Sequence, residues 1–431
     1  KKGSKHKKAR LSSRYQLWWI GMTFRLVALA VLCASLAAAQ FEPNWKGLDA
    51  SRSGFELLTN ASVGKIFAQE EAELVVSGLG YPEGPVWHEP SKSLLFVDPG
   101  LNSILQYTPS TNTTVALISN AAEGANGMAV DPLDPNIVHI CLQKGRRLVK
   151  AHLNTSFTAD NKYGDDLVEE ATEYNGTRLN SPNDAAVFSG QGEGARKLNS
   201  TVLYEIFFTD PPYGWLNGLE SEPTLDKFSE LGYHGVYRLC VTEEGEENHL
   251  ELLTPALKRP NGIAISHDGR TLYVIDSRAE GDGPGTRLYQ FPIADNGTVS
   301  APQSLDDVTD ADLVISDADY AKYVAVNYDT EKDPGVFGHV IDGMVAAPSG
   351  MIFAGGPGGL YVIDPAAREV VGLMRLGGSS HAVNVGLGME GEGRGYLFAT
   401  TPNHIWRIKL DDGMMTPKGG DTTEEEAMLR Q

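Results

Sequence analysis

The chain has 431 residues, with 36 Lys plus Arg, 56 Asp plus Glu and a formal net charge of −20 at pH 7. Its 41% hydrophobic content supports a sizeable core, and its 21% charged residues argue against global disorder. The acid excess repels phosphate backbones, so we expect no nucleic-acid partner, whereas a cation is compatible with this charge.

The amino-terminal residues have the pattern of a secretory signal peptide. Residues 1–21 form a basic upstream segment, and residues 22–39 combine Arg25, a short apolar run and three alanines before Gln40. A charged start, an apolar stretch and small residues at a cleavage point are typical of a signal peptide. The alternative, a membrane anchor, is interrupted by Arg25 and is short for a span. We therefore expect a secreted, extracellular protein that has no membrane association after signal cleavage.

Sequons and cysteines are compatible with secretion. Two cysteines lie outside the signal, Cys141 and Cys240, and they are either a disulfide or two separate buried thiols. Six Asn-x-Ser/Thr sequons are predicted glycosylation sites: Asn60, Asn112, Asn154, Asn175, Asn199 and Asn296.

Beyond an N-terminal extension at residues 40–71, which could supply a closing strand, short strand-like runs alternate with Gly, Pro, Asn and Asp. Residues 261–276 read as strand, turn and strand, and related units recur along the chain. Six repeats of small antiparallel sheets predict an all-β fold, a six-bladed β-propeller over residues 72–410, followed by a polar tail at 411–431. An irregular β-sandwich or barrel is the alternative, but unrelated strands would not place an acid or amide at the same point six times.

Each repeat begins its first strand with a residue that carries a side-chain oxygen: Glu83, Asn126, Asn183, Asn261, Asp342 and Asn384. Because the first strand of each propeller blade lines the central channel, we expect these side chains to meet near the axis. Unpaired acceptors and like charges would be uncompensated there, and a divalent cation would resolve both problems. These ligands favour Ca²⁺, with Zn²⁺, Mn²⁺ or Mg²⁺ as alternatives. Plain hairpin turns would also explain Asn-Gly and Asp-Gly pairs, but they explain Glu83-Gly84 and Asn183-Asp184 poorly.

Five parts of the chain carry a family resemblance: residues 83–87, 178–184, 208–214, 260–262 with 272–277, and 342–344. Together they resemble the gluconolactonase/regucalcin (senescence-marker-protein) family of six-bladed calcium-dependent lactonases. The resemblance runs from about Ala72 to Leu410 and implies that the family's metal ligands fall on Glu83, Asn261 and Asp342. It places Asn183 where the family contacts metal or substrate.

The reaction that this resemblance implies is hydrolysis of a cyclic ester, a sugar lactone such as gluconolactone. A divalent ion would polarise the lactone carbonyl and lower the pKa of bound water. We expect Asp342 to be the catalytic base and Glu83 to be a constant metal ligand. The sequence contains neither Gly-x-Ser-x-Gly nor His-Glu-x-x-His, so no competing hydrolase motif is present.

The predicted substrate-binding residues are Asn126, Asn183, Asp210 and Arg178. Asp210 precedes a rigid loop at residues 211–215 that we expect over the channel mouth, and Arg178 could meet a sugar hydroxyl or carboxylate. The family pattern is incomplete. Ser181 stands where animal members place Arg, and residues 142–147 replace a Glu-His-Gly-Asn-Arg-Arg string of bacterial members.

Two other functions remain open from the sequence. A phosphotriesterase-like or arylesterase-like propeller would share the metal and differ in its apolar pocket wall. A non-catalytic glycosylated propeller could use an axial ion to pin its blades and bind a partner through its surface. We expect a small-molecule lactone or ester and a divalent cation as partners, and a monomeric protein.

Overall fold

The computed structural model describes residues 54–59, 64–118, 123–153, 167–191, 194–215, 229–243, 246–277, 285–327, 340–377, 379 and 381–417. All of these belong to one unit that spans residues 49–431. The predicted upstream segment and signal peptide lie outside the described residues. Six antiparallel sheets are arranged as a six-bladed β-propeller, which confirms the predicted fold class.

The strands follow the order of the repeats. Two strands precede the first blade, β1 (Gly54–Leu57) and β2 (Glu73–Ser77). Blade 1 contains β3 (Glu83–His88), β4 (Ser93–Asp98), β5 (Ser103–Thr108) and β6 (Thr113–Ile118). Blade 2 contains β7 (Ala125–Val130), β8 (Ile137–Leu142), β9 (Arg147–His152) and β10 (Leu167–Ala171). A hairpin of β11 (Glu173–Tyr174) and β12 (Thr177–Arg178) follows. Blade 3 contains β13 (Ala185–Phe188), β14 (Val202–Asp210), β15 (Gly235–Thr242) and β16 (His249–Thr254).

The second half of the ring repeats this arrangement. Blade 4 contains β17 (Pro260–Ile265), β18 (Thr271–Ser277), β19 (Thr286–Pro292) and β20 (Leu313–Ile315). Blade 5 contains β21 (Met344–Ala346), β22 (Ile352–Gly356), β23 (Gly359–Asp364) and β24 (Glu369–Arg375). Blade 6 contains β25 (Asn384–Leu387), β26 (Tyr396–Thr401) and β27 (His404–Lys409). The helical segments are short: Glu89–Ser91, Tyr213–Trp215, Leu305–Asp307, Asp310–Asp312, Asp317–Asp319, Tyr320–Val324, Ala325–Asn327, Gly391–Gly393 and Asp412–Met415.

Burial explains why the strands differ in composition. All six residues of β4 are buried, and its sequence is a continuous apolar run from Leu94 to Val97. Four of the six residues of the outer strand β6 are exposed, and that strand begins with two threonines. A continuous apolar run is typical of a strand that is packed on both faces, whereas an outer strand can keep polar residues.

The core lies between the blades. The described residues form six hydrophobic clusters, and each cluster joins two neighbouring blades. Phe207 and Val274, for example, pack between blades 3 and 4, while Phe96 and Phe398 pack between blades 1 and 6. Burial of each such side chain contributes roughly 1.5–3 kcal/mol, so blade-to-blade packing holds the ring together.

The ring is closed by a strand from the beginning of the propeller. Strand β2 pairs antiparallel with β27 and becomes the fourth strand of blade 6. Strand β1, which lies within the predicted extension, pairs with β24 and adds a fifth strand to blade 5. The closing strand therefore follows the extension, which instead supplies an edge strand.

The segment predicted as a polar tail begins with a packed turn. The backbone N–H of Asp411 donates to the carbonyl oxygen of Ile66 at 2.9 Å, and Met415 is only 6% exposed within the core between blades 5 and 6. Residues 411–417 are therefore part of the fold, and residues 418–431 lie outside the described residues.

Cys141 and Cys240 are both free, and Cys141 is fully buried. The structure thus favours the second sequence-based alternative, two separate thiols. Within the part of the chain that the structure describes, no helix is long and apolar enough to cross a bilayer.

Because β2 closes the ring through its buried face, substitutions on its two faces should change the free energy of unfolding by different amounts. Val76 is 8% exposed and packs with Phe96 and Ile405, whereas Leu74 is 46% exposed. We expect Val76→Asp to lower the free energy of unfolding by about 3 kcal/mol, because it buries a charge without a partner. The matched change Leu74→Asp should cost less than about 1 kcal/mol. Urea unfolding monitored by tryptophan fluorescence measures both, and equal losses would contradict this role of β2.

Candidate functional site

The inner strands of blades 1, 2 and 4 carry a β-bulge at their entrance. One extra residue is accommodated within residues 83–86, 125–128 and 260–263. A bulge bends its strand and re-aims a side chain that would otherwise follow the pleat. The same irregularity therefore recurs at the point where each strand carries its polar residue.

Glycine follows the polar residue where neighbouring inner strands almost touch. A Cβ on Gly84 would lie 2.1 Å from the carbonyl oxygen of Asn126, and one on Gly343 would lie 2.1 Å from Cγ of Asn384. Only glycine permits so close an approach. Asn126-Gly127 lies inside strand β7, so the reading of this pair as a plain hairpin turn is wrong.

Three carboxylates converge at the axis, those of Glu83, Asp184 and Asp342. Glu83 is 3% exposed, and burial together with the charges of Asp342 and Asp184 raises its pKa well above the usual value. Burial and the charge of Asp184 raise the pKa of Asp342 to about 7, and burial raises that of Asp184 to about 7. No ion pair among the described residues involves any of the three, so their repulsion is uncompensated there.

Amide side chains hold two of these carboxylates. Asn384 Nδ2 donates to Glu83 Oε2 at 3.1 Å. The side chain of Asn261 hydrogen-bonds to Asp342, which opposes the rise in the pKa of that acid, and its Nδ2 also donates to Ser277 Oγ at 3.2 Å. Residues that begin four different blades are therefore joined by direct contacts, as the repeat predicted.

The side-chain amide of Asn183, like the three uncompensated carboxylates, indicates that a cation is needed at the axis. Its Oδ1 atom is buried and accepts no hydrogen bond from the described residues. A buried acceptor without a donor is costly, and a cation would satisfy it. Asn126 is also buried, with 9% exposure, at the same level of blade 2.

These observations fit a hard divalent cation. The available ligands are carboxylate and amide oxygens, which suit such an ion, and the local charge is negative. Among the described residues, no three His, Cys, Asp or Glu side chains cluster closely enough to hold a metal by themselves. The amide oxygens of Asn183 and Asn261 are therefore needed as ligands alongside Glu83 and Asp342.

Asp184 is a site residue that sequence analysis missed. Its Oδ1 accepts the N–H of Ala185 at 2.9 Å and its Oδ2 accepts the N–H of Ile263 at 3.4 Å, so backbone donors engage both oxygens. Asp184 therefore adds negative charge to the centre while its own oxygens are occupied. The sequence does distinguish Asp184, because four other repeats have glycine at the position after the first polar residue.

Asp210 does not occupy the predicted position over the channel. It is fully buried, and its two oxygens accept the N–H groups of Asn180 at 2.8 Å and Ser181 at 2.7 Å. Burial raises its pKa to about 7, although these bonds oppose the shift. The prediction that Asp210 contacts substrate is wrong, because its carboxylate is fully buried and both of its oxygens accept backbone N–H groups.

Ser181 closes a loop instead of contacting the channel. It is fully buried; its hydroxyl donates to the carbonyl oxygen of Pro211 at 2.5 Å and accepts the N–H of Gly214 at 2.9 Å. The departure from the family pattern at this position therefore fastens residues 211–214 to the segment that precedes Asn183.

Comparisons with known proteins agree with this geometry. Residues 223–403 match the family described as SMP-30/gluconolactonase/LRE-like region. A gluconolactonase of Zymomonas mobilis is 29% identical over 352 residues, which cover 78% of this chain and 80% of the relative. The chain is therefore similar to gluconolactonase-like proteins over most of its length. The predicted family resemblance is thereby confirmed, as is its implication of a gluconolactonase-like enzyme.

Solved structures of gluconolactonase-like proteins share the fold. A gluconolactonase from Xanthomonas campestris matches with a TM-score of 0.58 and 21% identity, covering 84% of this chain and 96% of the other. A putative gluconolactonase matches with a TM-score of 0.57 and 19% identity, covering 83% and 98%. These identities are low, so the matches establish the propeller architecture of this gluconolactonase-like chain and leave its substrate to be argued from the site.

The remaining predicted positions are dispersed over the gluconolactonase-like propeller. Arg178 is exposed on β12, and its role and that of Asn126 in substrate binding stay predictions. Sequons Asn60 and Asn154 lie outside the described residues. The other four sequon asparagines are exposed: Asn112, Asn175, Asn199 and Asn296.

The raised pKa values predict how cation-free protein responds to pH. Asp184 and Asp342 have pKa values of about 7 in the folded protein, against an ordinary value of 3.8. Between these values the folded protein binds more protons than the unfolded chain, so its stability falls as the pH rises. We expect Asp342→Asn to flatten this fall, as measured by urea unfolding with a chelator at several pH values from 5 to about 8.

The difference between the unsubstituted protein and Asp342→Asn isolates the contribution of the axial acids to the pH dependence of stability. His139 also loses stabilising charge as the pH rises, because hydrogen bonds with Asp131 and Glu170 overcome burial and raise its pKa to about 8. This contribution is present with and without Asp342→Asn, so it cancels in the difference. An unchanged pH slope in the variant would show that the axial acids are not coupled as described.

Proposed function

We propose that this protein is a secreted lactonase that depends on a divalent cation and opens a sugar lactone such as gluconolactone. The observation that carries the proposal is the convergence of the carboxylates of Glu83, Asp184 and Asp342, whose charges have no counter-ion among the described residues. The residue directly before Asp184, Asn183, has a buried side-chain oxygen that accepts no hydrogen bond from the described residues. Similarity to gluconolactonase-like proteins supports the choice of substrate class.

The ligand chemistry favours Ca²⁺. Glu83, Asn183, Asn261 and Asp342 offer only oxygens, and amide oxygens suit the larger and looser shell of Ca²⁺ better than the strict octahedron of Mg²⁺. Mn²⁺ and Zn²⁺ are the other ions to be tested. When bound, a divalent cation polarises a carbonyl group and lowers the pKa of an attacking water.

The three acids can be assigned different tasks from their contacts. Asp184 has both oxygens engaged by backbone donors, which suits a supporting charge better than a cation ligand. Glu83 is buried and is held by Asn384, which suits a constant ligand. Asp342 is half-buried, so it is the acid that substrate and water can reach from the channel.

Asp342 therefore fits the role of general base. A base must lie within hydrogen-bond distance of the proton that it removes and have a pKa near the working pH. In the cation-free protein, burial and the neighbouring Asp184 raise the pKa of Asp342 to about 7, and a bound cation would lower it again. The hydrogen bond from Asn261 fixes the orientation of its carboxylate while the proton is taken from water.

A substrate-by-metal panel tests this function. Purified protein should hydrolyse glucono- or aldono-lactones with added Ca²⁺, Mn²⁺, Zn²⁺ or Mg²⁺, and a chelator should abolish the activity. Asp342→Asn should lower kcat/KM by at least about 100-fold, because it removes the base. Asp364→Asn is the matched control, because Asp364 caps a turn by accepting the N–H of Ala366 at 3.0 Å.

Different outcomes of the panel separate the alternatives. Hydrolysis of phosphotriesters or aryl esters without lactones would replace the proposed substrate class. No hydrolysis of any of these substrates with any of the four ions would contradict an enzymatic function, and equal losses in Asp342→Asn and Asp364→Asn would contradict the role of Asp342.

Secretion is a separate part of the proposal and has its own test. The exposure of all four described sequon asparagines supports it, since a glycan needs an accessible acceptor. After expression in a glycosylating host, the protein in the medium should begin at Gln40 and lose mass on treatment with a glycosidase. Retention in the cells with residues 22–39 still attached would contradict secretion.

A further inference from the structure

Three aspartates that the proposed reaction does not use share an unusual setting. Asp98, Asp210 and Asp276 lie at the ends of the second strands of blades 1, 3 and 4, and each is fully buried. Each carboxylate accepts backbone N–H groups from the segment that leads into the inner strand of its own blade. These segments end at the candidate ligands Glu83, Asn183 and Asn261.

The geometry is clearest in blade 1. Asp98 Oδ2 accepts the N–H of Gly80 at 2.7 Å, and Oδ1 accepts the N–H of Tyr81 at 3.0 Å. These donors precede Glu83 by three and two residues. A Cβ on Gly80 would lie 2.7 Å from Asp98 Oδ1, so this approach requires glycine.

Blades 3 and 4 repeat the contact at the same distance along the chain. Asp210 accepts the N–H groups of Asn180 and Ser181, which precede Asn183 by three and two residues. Asp276 Oδ1 accepts the N–H of Arg259 at 2.6 Å, two residues before Asn261. Hydrogen bonds from backbone N–H groups to a carboxylate are stronger than neutral ones, so they hold these segments firmly.

The buried aspartates occur only in blades whose inner strand supplies a candidate cation ligand. The second strands of blades 2, 5 and 6 end at Leu142, Gly356 and Thr401, none of which has a carboxylate. Blades 2 and 6 supply Asn126 and Asn384, which are outside the predicted ligand set. In blade 5, the ligand Asp342 is held by its own backbone, whose N–H donates to Gly355 and whose carbonyl accepts from Gly262, both at 3.0 Å.

We propose that Asp98, Asp210 and Asp276 are positioning residues that hold Glu83, Asn183 and Asn261 at the spacing required by one divalent cation. This inference rests on the proposed function, because it concerns the same axial site. The aspartates touch neither cation nor substrate. They act by fixing the backbone two residues before each ligand, and also three residues before Glu83 and Asn183.

Cation affinity of the full-length secreted protein tests the inference. Asp98→Asn and Asp210→Asn each place an NH₂ group against a backbone N–H, and Asp276→Ala removes the acceptor of the Arg259 N–H, so the approach segment must shift. We expect each to raise the Kd for Ca²⁺ or Mn²⁺, measured by isothermal titration calorimetry, by about 10- to 100-fold. Urea unfolding of the cation-free variants records the accompanying loss of stability.

Asp131→Asn is the matched control. Asp131 is also buried and accepts two backbone N–H groups, those of Leu133 at 2.7 Å and Asp134 at 3.0 Å. It follows the opposite end of inner strand β7, so its loss should reduce stability without changing the cation Kd. If the three test variants lose stability but keep the Kd of the unsubstituted protein, the aspartates are structural caps only and the inference is wrong.

A second variant keeps the test decisive if a buried Asn prevents folding. Gly80→Ala displaces the approach segment and retains Asp98, and it should also raise the Kd, whereas Gly64→Ala, whose Cβ meets nothing within 4 Å, should not. An unchanged Kd in Gly80→Ala would count against the inference. Cation binding without lactone hydrolysis would overturn only the proposed function, and failure of the unsubstituted protein to bind any cation would overturn both.

Discussion

The repulsion among three carboxylates that ring closure brings to one axis is the constraint on which the rest of the structure depends. Glu83, Asp184 and Asp342 come from blades 1, 3 and 5, and no ion pair among the described residues neutralises them. Burial alone would hold them partly protonated near neutral pH. Six interfaces of packed apolar side chains stabilise the ring and offset the cost of this repulsion. A divalent cation at the axis would be attracted by the same three carboxylates and would neutralise them.

The fold was predictable because the information is local and is repeated. Each unit carries its own strand, turn and strand, so six weak signals support one another. The ring-closing pair was harder to predict, because β2 and β27 lie at opposite ends of the propeller and neither strand specifies its partner. The polar tail was also predicted too early, since the burial of Met415 depends on contacts with distant segments.

The candidate site was predictable where a residue type recurred at a fixed interval, as for Glu83 and Asn261. Asp184 was missed because its effect is exerted across blades: its charge raises the pKa of Glu83 and Asp342. Asp210 was misassigned because its burial results from residues 180–181 folding over it from 30 positions away. Sequence spacing locates the groups at the axis, but their accessibility is a property of the assembled ring.

Anomalous X-ray scattering from crystals grown with Mn²⁺ tests directly whether the oxygens at the propeller axis bind one divalent cation. We expect one peak on the propeller axis, with oxygens of Glu83, Asn183, Asn261 and Asp342 at metal–ligand distances of about 2.0–2.6 Å. Asp98, Asp210 and Asp276 should remain outside that shell, bonded to the backbone. A fully occupied Mn²⁺ site elsewhere with no axial peak, or an axial peak bound by neither Glu83 nor Asp342, would contradict the account.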